Sequence, residues 1–201
     1  NGMIYSDIWQ IELRDDLSWK FHPSTNLSGL SQGYQNLDAS DFIWTFKEAI
    51  DQEWFRAISG GSDFVSQGIK NITEYMNGSV PWSEVGLGLA DENSNVIELE
   101  YSSLKTAFDI KYNFSMGQMQ PINKELYEAL GGVSGYGLDP LSVASSGVYY
   151  LDAWDEMDQL QFKKNELYPH HENYQYTGLS YKYYDSLDLI FQGFLDGYLD
   201  H

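Results

Sequence analysis

His170, His171 and Glu172 stand side by side, and imidazole next to carboxylate is the chemistry of a metal site. A metal needs ligands that converge on one point, whereas consecutive side chains point apart unless the backbone turns. His22 and His201 are the other two histidines of the sequence. The pair therefore reads as part of a solvated loop, and neither a metal nor a cofactor is expected. Asp155, Glu156 and Asp158 have the residue types of an acid–base set. They fall on the expected tip of a hairpin, where carboxylates stay hydrated, while general acid catalysis needs burial or a like charge in a cleft. No P-loop occurs, no GxGxxG opens a helix after a strand, and no GxSxG nucleophile elbow is present. GLGLAD (86–91) holds a glycine pair but leads into a strand. Lack of cysteine excludes disulfides, thiolate catalysis and Cys-based zinc sites. No enzyme is expected.

The remaining chemical signal is aromatic. Sixteen tyrosines, ten phenylalanines and six tryptophans exceed what a core of this size needs. Tyr and Trp join a large apolar face to a polar handle, which suits ligand pockets and interfaces as well as cores. In YKYYD (181–185), Tyr181 and Tyr183 share one strand face and Tyr184 takes the other.

The elements that must position these residues follow from periodicity. DIWQIEL (7–13) alternates, with Trp9, Ile11 and Leu13 on one face, and predicts a half-buried strand. Residues 18–36, rich in Ser, Gly, Asn and Pro, read as a long loop. Asp38 then caps a helix whose inner face is Phe42, Ile43, Phe46, Ala49 and Ile50, with Asp41 three residues after the cap. FVSQGIKNITEYMNG (64–78) puts Val65, Ile69, Ile72 and Met76 on one helical face, with Gly78 as the stop. NVIELEYSS (95–103) alternates as a strand. NKELYEALGG predicts a short helix capped by Asn123 and stopped by Gly131. GVYYLDAW and LQFKKN form the hairpin, with its aromatics expected largely in the core. GLSYKYYD (178–185) is another strand. SLDLIFQGFLDG (186–197) is a helix with Leu187, Ile190, Phe191, Phe194 and Leu195 expected inward. This irregular interleaving indicates a mixed α/β architecture. GGVSGYG (131–137) is the candidate internal boundary or surface connection.

Composition narrows the partners. The 201 residues carry 30 acidic against 11 basic side chains, a net charge of −19. That field repels phosphate backbones and anionic lipid, so no nucleic-acid partner is expected. No apolar run reaches the roughly 20 residues that span a bilayer. The opening NGMIYSDIWQIEL has no signal-peptide pattern, which leaves a cytoplasmic protein or a piece of an exported one.

Taken in order, several segments resemble the extracellular solute-binding proteins of oligopeptide and dipeptide ABC importers. IWQIELRDDLSWKF followed by LDASDFIWTFKEAID is similar to that family's strand, "kWsdG" loop and "DFvyswkra-D" helix. NVIELEYSS and FSMGQMQPINKELYEAL resemble its next strand, its "PiPk" segment and the short helix after it. SSGVYYLDAWDEMDQLQFKKNELY is similar to "sGpYxlxxw…ixlxrNpxY", and SYKYYDSLDLIFQGFLDGYLD to a strand and a helix ending "f.nGeiD". The Asp-Gly expected after Trp19 is replaced by Lys20 and Phe21, Val148 stands for a Pro, and Asn123 stands for the second Pro of PiPk. The resemblance implies a periplasmic-binding-protein-like type II fold of mixed α+β class, here an incomplete middle fragment. Residues 1–122 would form most of an accessory subdomain and 123–201 part of the first ligand lobe. It further implies capture of an extended oligopeptide for a membrane ABC permease, by a parent protein anchored outside the cell through a lipid. Phe64 stands where the family has a peptide-contacting tyrosine. Met116, Gln118 and Met119 fall in the segment that reaches the pocket, where flexible Met side chains suit varied ligands. A peptide-sensing or host-contact module on the same fold is the alternative. With half of the clamp missing, the chain alone is expected to bind peptide weakly or not at all.

Overall fold

The computed structural model describes residues 4–58, 65–92 and 94–200. β1 (Tyr5–Glu12) pairs antiparallel with β4 (Val96–Thr106), Trp9 opposite Leu99 and Ile11 opposite Ile97, and β3 (Leu87–Leu89) adds to the other edge of β4. The alternation read from sequence is the physical one: Ile97, Leu99 and Tyr101 point inward and are buried. α1 (Ala39–Asp51) packs on this sheet through Phe46, Ala49 and Ile50. Its start is a capping box: Asp38 accepts from the first-turn backbone, and the Asp41 carboxylate accepts from the Asp38 backbone N–H at 3.2 Å. α2 (Phe55–Ile58), α3 (Ile72–Met76) and α4 (Ala107–Phe114) surround the same core, which includes Ile72, Ile110 and Met119.

Residues 65–78 do not form the single helix that their apolar spacing predicts. Gly68 and Asn71 take left-handed φ values of +78° and +60°, which no continuous helix passes through. Only Ile72–Met76 is helical, while Ile69 reaches the core by a bridge to Tyr101. Met76 is left exposed, and Gly78 does close the helix in the left-handed region.

The predicted loop at 18–36 carries more structure than its composition suggests. β2 (Lys20–Phe21) pairs with β5 (Ala144–Ser145), and Trp19, only 1% exposed, heads a second core with Phe21, Leu37 and Leu126. Phe42 of α1 touches both cores. So does Asp41 in effect, because its carboxylate also accepts from the Trp19 indole N–H at 3.2 Å. Burial pushes that carboxyl from 3.8 up to about 6, against the pull of those two hydrogen bonds. α5 (Lys124–Ala129) supplies Leu126 and is capped by Asn123, which accepts from the Leu126 N–H at 2.8 Å.

β6 (Tyr149–Asp155), β7 (Gln159–Lys164) and β8 (Gly178–Lys182) form an antiparallel meander. Asn165 fixes its base from full burial, donating to the Gly147 carbonyl at 2.8 Å and accepting from the Leu167 N–H at 3.0 Å. The acidic tip is exposed, as expected. The hairpin aromatics are not mostly core: Tyr150 is buried, Tyr149 half-buried and Trp154 exposed. α6 (Leu187–Leu195) departs furthest from expectation. Ser186 caps it, yet its apolar face lies open, with Leu187 82% and Phe191 62% exposed. No described element covers that face, so amphipathic spacing marks a surface that needs a partner without supplying one.

Candidate functional site

One concavity is built almost wholly of aromatic and aliphatic side chains. Trp54 follows the end of α1, Ile122 precedes α5, Tyr127 lies on α5, and Val133 and Tyr136 belong to the glycine-rich stretch after it; together they line a cavity of about 330 Å³. Tyr127 is its centre. Its ring meets Trp44 edge-on at 5.3 Å, Trp54 edge-on at 5.9 Å, and Tyr136 tilted at 5.7 Å. Its hydroxyl donates to Glu48 Oε1 at 2.9 Å. Burial first, and then this bonded carboxylate, push the phenol up to about 12, so it is neutral at any physiological pH. Ile122 is held by buried Thr45, whose hydroxyl accepts from the Ile122 N–H at 3.0 Å.

The glycines explain how the wall closes over Tyr127. A Cβ at Gly135 would sit 2.2 Å from the Leu130 carbonyl oxygen, so only glycine lets the chain return there. Gly132 lies against the Tyr127 ring with φ +75°, a left-handed conformation that favours glycine. GGVSGYG is thus a pocket wall as well as a connection.

Of the residues singled out by sequence, Phe64 lies outside the described residues, as does the Gln118 side chain. The backbone of Gly117–Met119 forms a short 3-10 turn. Met116 is half-buried beside it. Met119 is 1% exposed within the first core, where its sulfur accepts from Gln67 Nε2 at 3.2 Å. The stretch is therefore anchored through Met119, and its continuation at Ile122 forms part of the aromatic cavity. Trp54, Tyr127 and Tyr136 were not singled out. The signal for the two tyrosines was a glycine cluster that contains Tyr136, directly after a helix that carries Tyr127.

A second, larger and more polar cleft of about 970 Å³ runs along the meander. Lys20 lies 5.2 Å from the centre of the Tyr150 ring, and Lys163 pairs with Asp152 at 3.0 Å. That bond holds the Lys163 ammonium above its ordinary range. Lys164 donates to the Tyr174 carbonyl. Glu166 and Glu172 line the same cleft, so its charges are mixed. His170 Nδ1 lies 3.6 Å from Glu172 Oε1, and the described residues hold no cluster of three or more metal-ligating side chains.

Set against known proteins, the chain matches no family model. It is 24% identical to the oligopeptide-binding protein AliA of Streptococcus pneumoniae over 177 residues, 88% of this chain and 24% of that protein. It superposes on Listeria monocytogenes OppA, solved bound to peptide, with a TM-score of 0.75 at 16% identity, covering 100% of this chain and 36% of that one. The chain has the fold of a segment of these oligopeptide-binding proteins. The substrate-binding domain of a Bacillus anthracis oligopeptide ABC transporter gives the same TM-score at 19% identity, covering 96% of this chain and 33% of its own length. Against these oligopeptide-binding proteins, the chain spans between a quarter and about a third of the whole. The mixed α/β, incomplete periplasmic-binding-type fold implied by sequence is the one observed.

Proposed function

We propose that this chain forms part of a protein that captures extended oligopeptides outside the cell and delivers them to an ABC permease. The observation that carries it is superposition, over the whole chain, on a protein solved with peptide bound. The aromatic cavity beside segment 116–122 supports it, because such clamps hold a ligand backbone by main-chain hydrogen bonds and receive its side chains in separate pockets. Residues 1–122 then form most of an accessory subdomain and 123–201 part of the first ligand lobe. Residues 17–37 pack on the latter through the second core.

Phe64, Met116 and Gln118 contact the ligand in this proposal, while Met119 holds the stretch around Met116 from inside the core. The exposed apolar face of α6 is where further polypeptide of the clamp packs, which agrees with relatives about three times as long. Closure of the completed clamp presents the loaded protein to the permease at the membrane, where the parent is held by a lipid anchor. The chain does no bond-breaking chemistry and uses no metal or cofactor. Native mass spectrometry of the natural polypeptide carrying this sequence, purified gently, is expected to show co-purified peptides. A polypeptide that arrives empty and takes up nothing from an added peptide pool would refute the proposal.

A further inference from the structure

We propose that the Trp54–Tyr127–Tyr136 cavity is a subsite for one aromatic side chain of the bound peptide, which rests on the peptide-capture proposal above. Its size has room for one aromatic side chain: about 330 Å³ lies at the lower end of small-ligand pockets. Among the described residues, no charged side chain lines it. Tyr127 offers its ring and not its hydroxyl, because the hydroxyl is already bonded to Glu48. Trp54, Tyr127 and Tyr136 present large aromatic faces to a guest, which reward an apolar ring.

The arrangement of rings favours an aromatic guest over an aliphatic one. Tyr127 already meets three rings at interplanar angles of 57–68°. A further ring entering between Trp54 and Tyr136 extends the same edge-to-face pattern, which stabilises aromatic pairs beyond the area they bury. Ile122 brings segment 116–122 to the rim, so a backbone running along that segment places a side chain at the opening. Val133, 54% exposed, stands at that opening.

The test uses the 201-residue chain, ¹⁵N-labelled, titrated with N-acetyl-phenylalaninamide, N-acetyl-leucinamide and N-acetyl-alaninamide. The Trp54 indole signal and the amides of Ile122, Val133 and Tyr136 are followed. Phenylalaninamide is expected to move them saturably, with an affinity about threefold or more above leucinamide. Alaninamide is expected to leave them in place. Val133→Trp, which plugs the mouth, is expected to abolish the response, and Val133→Lys serves if that variant does not fold. Equal responses to all three probes, or a response unchanged in a folded plugged variant, would overturn the subsite. Peptide uptake by the natural polypeptide that ignores both aromatic content and V133W overturns the subsite alone. Ring capture by a polypeptide that takes up no peptide overturns the capture proposal and leaves an aromatic site without that role.

Discussion

Helices α1 and α6 are written in the same language and end in opposite environments. Each begins with a side-chain cap, Asp38 or Ser186, and each carries phenylalanine and isoleucine at helical spacing. In α1 those residues meet the β1–β4–β3 sheet, and Phe46, Ala49 and Ile50 are buried. In α6 they lie largely open, with Ile190, Phe191 and Phe194 exposed. A period of 3.6 residues states which face of a helix needs burial; the tertiary partner decides whether it gets it.

The largest test of that contrast is Phe46→Ala. Its ring is edge-on to both Phe42 and Phe114, and removing it should cost about 3–5 kcal/mol in denaturant unfolding. A loss below about 1 kcal/mol would mean that the α1 core is not what holds the chain together.

Next is the pH dependence set by Asp41. Its folded pKa of about 6 exceeds the unfolded 3.8, so the folded state binds this proton more tightly. The group therefore favours folding more as pH falls from 6 toward 4, and that contribution is lost as pH rises through 6. Wild type should gain about 1–2 kcal/mol relative to Asp41→Asn between pH 7 and pH 4.5. Parallel pH profiles for the two proteins would contradict the burial of the Asp41 carboxyl.

The caps come third. Asp38→Ala should cost about 1 kcal/mol, because it opens a box on a helix that the core depends on. Ser186→Ala should leave global stability unchanged and only fray α6, seen as faster amide exchange at 187–190. Smallest of all, Phe191→Ser should change unfolding free energy by no more than about 0.5 kcal/mol while reducing self-association and binding of apolar dyes. A destabilisation well above that would show α6 to be packed within the chain.

Much of the fold was legible because period and cap agreed. β1, α1, β4, α5, the hairpin and α6 all stand where alternation, helical spacing, Asp38, Asn123 and Gly131 put them. Residues 65–78 misled because apolar spacing carries no information about φ, and Gly68 and Asn71 interrupt what Val65, Ile69 and Ile72 suggest. Trp19 was hidden in a polar loop, since one large ring can found a core without any periodic neighbours. The site was less legible. Met119 reads from sequence as flexible pocket lining, but its position opposite Gln67 makes it core. The cavity wall came from three aromatics on three separate segments, together with Ile122 and Val133, which only the fold brings together.

The central claim is that this chain supplies one side of a peptide site, around segment 116–122 and the aromatic cavity. It is tested most directly by titrating the ¹⁵N-labelled chain with a mixed oligopeptide pool and mapping the shifts. Weak binding is predicted, far from saturation at micromolar peptide, with shifts gathered at Met116–Ile122, Trp54, Tyr127 and Tyr136. Micromolar affinity, or shifts confined to the cleft along β6–β8, would contradict it.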